Sequence, residues 1–226
     1  MNFNRPAELS SLIDELYARV DRPGTPGGVV AVLKGDDLLH QAAYGRANCE
    51  FDIPWSPQTL YPVASITKTF VADVLLHLFD QKLASPHSRL NEFFPDFGAV
   101  ADGITLAHLL TMSSGYRHDE VCASLAGASD WTNDYLYELM RRQRSLQHPV
   151  GSFQNYHCGG YRLLAKVIER LAGDSFEGAL RKYTFEPLGM LDSSAPSNWS
   201  QIDPRRASTY RTCDDGSLHQ IGRAHV

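Results

Sequence analysis

Between residues 7 and 20, Leu9, Leu12, Ile13, Leu16, Tyr17 and Val20 recur at helical spacing while Glu8, Asp14, Glu15 and Arg19 fill the other face, which predicts an amphipathic helix. Arg22-Pro23-Gly24-Thr25-Pro26-Gly27-Gly28 breaks it. Two apolar runs, 29–33 and 38–44, flank the turn Lys34-Gly35-Asp36-Asp37, so a β-hairpin is expected over 29–44. Residues 45–64 read as irregular, because Pro54, Pro57 and Pro62 discourage helix. The run 70–79 is apolar almost without a break and predicts a buried helix. Residues 82–96 form a turn-rich connector with Leu90, Phe93 and Phe94 as anchors. Residues 104–112 then read as a short helix with Thr105 near its start, stopped by Ser113-Ser114-Gly115-Tyr116. A polar stretch, 117–147, holds one predicted helix at 132–144. A loop rich in glycine and turn formers leads into a helix over 161–171, with Leu163, Leu164, Val167, Ile168 and Leu171 on one side and Gly173 closing it.

Composition narrows the class of protein. The chain has 226 residues, 43% hydrophobic and 21% charged, enough for a substantial globular core. A net charge of −5 without a basic stripe argues against a nucleic-acid partner. Cys49, Cys122, Cys158 and Cys213 are unevenly spaced with no C-x-x-C pair, as expected of free thiols in a reducing compartment. The stretch Met1-Asn2-Phe3-Asn4-Arg5-Pro6 lacks the apolar core of a signal peptide, and no window approaches a membrane span, so a cytoplasmic location is expected. No cofactor or metal is expected: His118-Asp119-Glu120 lacks the ligand spacing of a metal hydrolase.

Chemistry concentrates at Ser65-Ile66-Thr67-Lys68. A serine and a lysine three apart at a helix start face the same way, so hydroxyl and amine can touch, and the helix N-terminus favours an oxyanion beside them. Of the five lysines, Lys68 alone has a serine three residues earlier. Tyr156, on the loop before the 161–171 helix, is the third member of a serine, lysine and tyrosine proton-transfer set. Rival chemistries fit less well. His157 and Cys158 are neighbours whose side chains do not face each other, a poor thiol and base pair, and no Gly-x-Ser-x-Gly occurs.

Several segments together resemble the serine-hydrolase family of class C β-lactamases, D-alanyl-D-alanine peptidases, D-aminopeptidases and related esterases. They are Pro26-Gly27-Gly28-Val29-Val30-Ala31-Val32, Thr59-Leu60-Tyr61, Ser65-Ile66-Thr67-Lys68-Thr69-Phe70, the 104–111 helix with Ser113-Ser114-Gly115-Tyr116, Gly160-Tyr161-Arg162-Leu163-Leu164-Ala165, and Phe185-Glu186-Pro187-Leu188-Gly189-Met190. Their order and spacing match over residues 7–195. The resemblance implies an α+β fold of the β-lactamase and penicillin-binding-protein kind: an antiparallel sheet flanked by helices plus a helical subdomain. It implies an acyl-enzyme formed at Ser65, with Lys68 as base, Tyr156 as proton shuttle and the Ser65 backbone N–H in an oxyanion hole. For Lys68 to act as base its amine must be neutral part of the time, which burial beside positive groups would favour. It also implies, as substrate, a small molecule or short peptide with an ester, D-amino-acid amide or β-lactam carbonyl. The alternative is an inactive scaffold of the same fold.

Two departures stand out. The second motif, Tyr-x-Asn in the family, reads Tyr156-His157-Cys158, unless Asn155 substitutes by a local shift. The third motif, Lys-Thr-Gly or His-x-Gly on a late strand, is absent. Residues 1–220 are therefore expected to be an incomplete domain that lacks its C-terminal strands and is inactive as it stands. Ile221-Gly222-Arg223-Ala224-His225-Val226 resembles the translation of ATC GGA AGA GCA CAC GTC from a short-read sequencing adapter, so 221–226 is expected to be an adapter-derived tail.

Overall fold

Val71, Val74, Leu75 and Leu78 repeat at helical spacing along α2 (Thr67–Asp80), and this stripe is what the helical part of the molecule packs around. Each such side chain contributes roughly 1.5–3 kcal/mol when fully buried. The chain is seen in a computed structural model that describes residues 6–118, 133–196 and 202–221. It divides into two compact units, residues 63–197 and residues 1–62 with 198–226.

In the 63–197 unit, α2 packs against α6 (Gly159–Ala172) and α7 (Phe176–Leu180), with Phe70 edge-on to Phe185 at 5.5 Å. The run 70–79, expected to be buried, is buried along one stripe: Leu76 faces solvent, because only that stripe meets the core. The connector after α2 folds as α3 (Leu90–Phe93) and a 3-10 segment (Pro95–Ala101). Leu90 and Phe94 are buried there, and Phe93 packs on the same core. Thr105 caps α4 (Leu106–Leu110) by accepting from the His108 N–H. α5 (Asn133–Arg142) falls within the expected 132–144, and Gly173 ends α6 in the left-handed conformation. Asp119, Glu120 and Cys122 lie outside the described residues.

After α4 the chain is laced to the segment that follows α5. Gln147 N–H donates to Gly115 O (2.7 Å), Gly151 N–H to Ser113 O (2.8 Å) and Asn155 N–H to Met112 O (2.9 Å). Gly115, at φ +82°, lies so close to the His148 carbonyl that a Cβ would come within 2.1 Å of its oxygen. The three bonds bring residues 155–158 to a defined place.

In the other unit, α1 (Pro6–Tyr17) packs on an antiparallel hairpin of β1 (Gly28–Lys34) and β2 (Asp37–Tyr44), paired from Gly28 opposite Tyr44 to Lys34 opposite Asp37 with a one-residue register shift between Val32 and Leu33. The helix stops three residues short of the expected 20, and of its apolar face only Ile13 is buried while Leu12 and Leu16 stay exposed. Polar contacts supply much of the docking: His40 meets Ser10 (3.0 Å) and Tyr44 (3.1 Å), and Tyr44 donates to Asp14 (2.7 Å). The stretch read as irregular contains β3 (Arg46–Asn48) and β4 (Ile53–Pro54), and a further hairpin joins β5 (Tyr210–Thr212) to β6 (Leu218–Gln220). Of the tail at 221–226, all but Ile221 lies outside the described residues.

Candidate active site

Ser65 sits in a 3-10 turn (Ala64–Ile66) that runs straight into α2. Ala64 enters that turn at φ +50°, a left-handed conformation costing a non-glycine residue roughly 1 kcal/mol. The strain presents Ser65 at the exposed mouth of the helix, with Lys68 one turn on. Lys68 Nζ donates to Ser65 Oγ at 3.1 Å, as the three-residue spacing predicts.

Tyr156 arrives from 91 residues away and completes a triangle. Its hydroxyl donates to Ser65 Oγ at 2.6 Å and accepts from Lys68 Nζ at 2.9 Å. Lys68 Nζ also lies 4.8 Å from the Tyr156 ring centre and 5.7 Å from that of Tyr161, whose own hydroxyl is tied to the Leu110 carbonyl. Cys158 Sγ is 3.5 Å from Lys68 Nζ, so the residue two positions after Tyr156 reaches the amine. His157 turns away: its ring nitrogens face Ser114 Oγ and the Gly160 N–H while the Cys158 thiol faces Lys68. That division agrees with the poor geometry expected of neighbouring side chains.

Burial lowers the Lys68 pKa, but the Tyr156 hydrogen bond and the nearby Cys158 thiol outweigh burial and hold the amine above the ordinary lysine value. The amine donates to both oxygens, Ser65 Oγ at 3.1 Å and the Tyr156 hydroxyl at 2.9 Å. Among the described residues no cluster of three metal-ligating side chains occurs.

Two contributors carry no signal in the sequence. Ala64 is an unremarkable residue type for a left-handed turn. His157 meets Ser114, 43 residues earlier in the chain, a contact that local spacing does not announce.

A serine, lysine and tyrosine in mutual contact at a helix start, within an α+β arrangement of helices and small antiparallel sheets, define the β-lactamase and penicillin-binding-protein class of fold. The chain belongs to the Beta-lactamase family, whose family model matches residues 10–224. It is 33% identical over 189 residues to a D-aminopeptidase of Gluconobacter oxydans, covering 81% of this chain and 34% of that protein. In structure it is similar to the octameric penicillin-binding protein homologue from Pyrococcus abyssi, with a TM-score of 0.78 and 27% identity over 96% of this chain and 50% of that one. It is also similar to the D-amino acid amidase from Ochrobactrum anthropi SV3 in complex with L-phenylalanine, with a TM-score of 0.75 and 25% identity over 93% of this chain and 57% of that one. The chain thus spans about a third of the length of the D-aminopeptidase it matches.

Proposed function

We propose that the protein is a serine hydrolase acting through an acyl-enzyme, with Ser65 as nucleophile. The observation that carries this reading is the convergence of Lys68 Nζ and the Tyr156 hydroxyl on Ser65 Oγ, at 3.1 and 2.6 Å. Ser65 Oγ attacks the carbonyl carbon and gives its proton to the Lys68 amine, which must first lose one of its own. Tyr156, bonded to both, passes the proton to the leaving amine or alcohol as the carbonyl–heteroatom bond breaks. Water then attacks the ester along the same relay, releasing the acid and restoring Ser65. The Ser65 backbone N–H, at the N-terminal end of α2, supplies one oxyanion donor. The D-aminopeptidase and D-amino acid amidase relatives favour a D-amino-acid amide or short peptide over an ester or a β-lactam as substrate. An inactive scaffold has no use for a strained Ala64 that presents a hydrogen-bonded serine to solvent.

Exposure of the full-length protein to a fluorophosphonate, followed by intact mass spectrometry and peptide mapping, tests the assignment. One adduct at Ser65, lost in Ser65→Ala together with hydrolysis of D-alanine amide, is expected. An adduct at Cys158 or at another serine overturns it.

A further inference from the structure

We propose that His157 is a positioning residue: its imidazole caps α6 and thereby holds its chain neighbours Tyr156 and Cys158 against Lys68. His157 is 1% exposed. Its Nδ1 accepts from the Gly160 N–H at 3.2 Å, so the ring proton resides on Nε2, which donates to Ser114 Oγ at 3.2 Å. One tautomer therefore reads two elements, the start of α6 and the loop after α4.

The first turn of α6 needs such a partner. Cys158 holds the N-cap position and makes no side-chain cap bond, because its thiol is turned to Lys68. His157 meets one of the unpaired N–H groups in its place. The next two residues are both glycine, each costing about 1 kcal/mol relative to alanine within a helix. Gly160 is the space the ring occupies, since a Cβ there would lie 3.0 Å from His157 Cε1. Ser114, fully buried, belongs to the loop that the backbone bonds of residues 147–155 lace in place. Residues 155 and 157 are thus pinned on either side of Tyr156, which leaves its hydroxyl little freedom to leave Ser65 Oγ. Phenylalanine at 157 would keep a planar ring, somewhat larger, but set carbon against a buried N–H and a buried hydroxyl.

The labelling arm of the test rests on the serine, lysine and tyrosine reading above, and the backbone arm does not. In the full-length protein, His157→Phe is expected to slow phosphonylation of Ser65 by at least about tenfold, as for a small displacement of a reacting group. The loss should fall in the maximal labelling rate and not in the reagent concentration that half-saturates it. His157→Asn, whose Oδ1 takes the place of Nδ1, should recover most of that rate. Amide exchange at Gly160, followed by NMR, should quicken in His157→Phe and stay slow in His157→Asn. Unchanged labelling and exchange in His157→Phe would show that the ring acts by volume alone and would sink the proposal, as would His157→Asn labelling no faster than His157→Phe. Absent Ser65 labelling in the unaltered protein, with Gly160 exchange responding as stated, would remove the nucleophile and leave the cap standing.

Discussion

Tyr156→Phe separates chemistry from stability more sharply than any other single change at this site. The substitution deletes one oxygen that donates to Ser65 Oγ at 2.6 Å and accepts from Lys68 Nζ at 2.9 Å, and it leaves the ring in place. Tyr156 is 48% exposed, so neither former partner is stranded in a dry interior, and Lys68 keeps its contacts to Ser65 and Cys158. Two solvent-accessible hydrogen bonds, taken at the low end of the usual range, contribute about 1 kcal/mol net, and about 2–4 °C of melting temperature follows from that in a protein of this size. A positioned proton-transfer group contributes roughly 10²–10⁴-fold in rate, and a hundredfold loss corresponds to about 2.7 kcal/mol of transition-state stabilisation. The expected outcome is a melting curve displaced by no more than ~4 °C and a Ser65 labelling rate reduced at least ~100-fold, from the same preparation. A variant that labels Ser65 at the parental rate would refute Tyr156 as proton relay. One that loses rate only in proportion to a collapse in melting temperature would assign the residue to the fold.

Four further outcomes are expected. Cys158→Ser retains measurable hydrolysis and Cys158→Asn retains or raises it; complete loss in Cys158→Ser while Ser65→Ala stays active would exchange their roles. Because Lys68 is held above the ordinary lysine value, its neutral fraction grows about tenfold per pH unit through the neutral range. The Ser65 labelling rate should therefore climb across pH 7 to ~10 without a plateau, and an early plateau would mean that another group takes the proton. Gly159→Ala places a Cβ 2.4 Å from the buried Met140 Sδ, so an overpacking cost of about 1–3 kcal/mol exceeds the ~1 kcal/mol gain in helix propensity. Urea unfolding should show the variant less stable, whereas Gly28→Ala, with open space at its Cβ, is neutral or better. Burial, with Asp14 as hydrogen-bond acceptor, pushes the Tyr44 phenol up to about 12, so the stability it contributes is complete below pH ~10 and is lost as pH rises through about 12. Circular dichroism against pH should show that loss, and Tyr44→Phe should abolish the contribution.

The helices that build the site were legible because each carries its instructions locally. α2 and α6 announce themselves by apolar spacing, Gly173 by its type, and the Ser65–Lys68 contact by a separation of three. Elements whose reasons lie far away in the chain were not. β3 and β4 are two or three residues long, and Asn48 of β3 meets its partner Ser208 across 160 positions. The β5–β6 hairpin is equally short and carried no periodic signal. The spacing marks α1 as an amphipathic helix, but only Ile13 of its apolar face is buried and a polar relay through His40 does much of the docking, which leaves no trace in hydrophobic spacing. The sign of the Lys68 shift is illegible for a related reason: it depends on Tyr156 and Cys158 standing within 3.5 Å of the amine.

The strand-containing unit is assembled from both ends of the chain, while the helical unit is one uninterrupted stretch, residues 63–197. Ser65, Lys68, His157, Cys158 and the Ser114 that steadies them all fall inside it, as does Tyr156. In genetic terms these residues are linked. Two crossovers, near codons 62 and 198, would transfer the whole constellation between relatives as a single heritable block, with every contact among its members intact. Crossovers within the block would instead bring together a nucleophile and a relay that had never been selected in each other's company. Natural recombinants and chimaera libraries alike should therefore retain function most often when their joints fall outside 63–197.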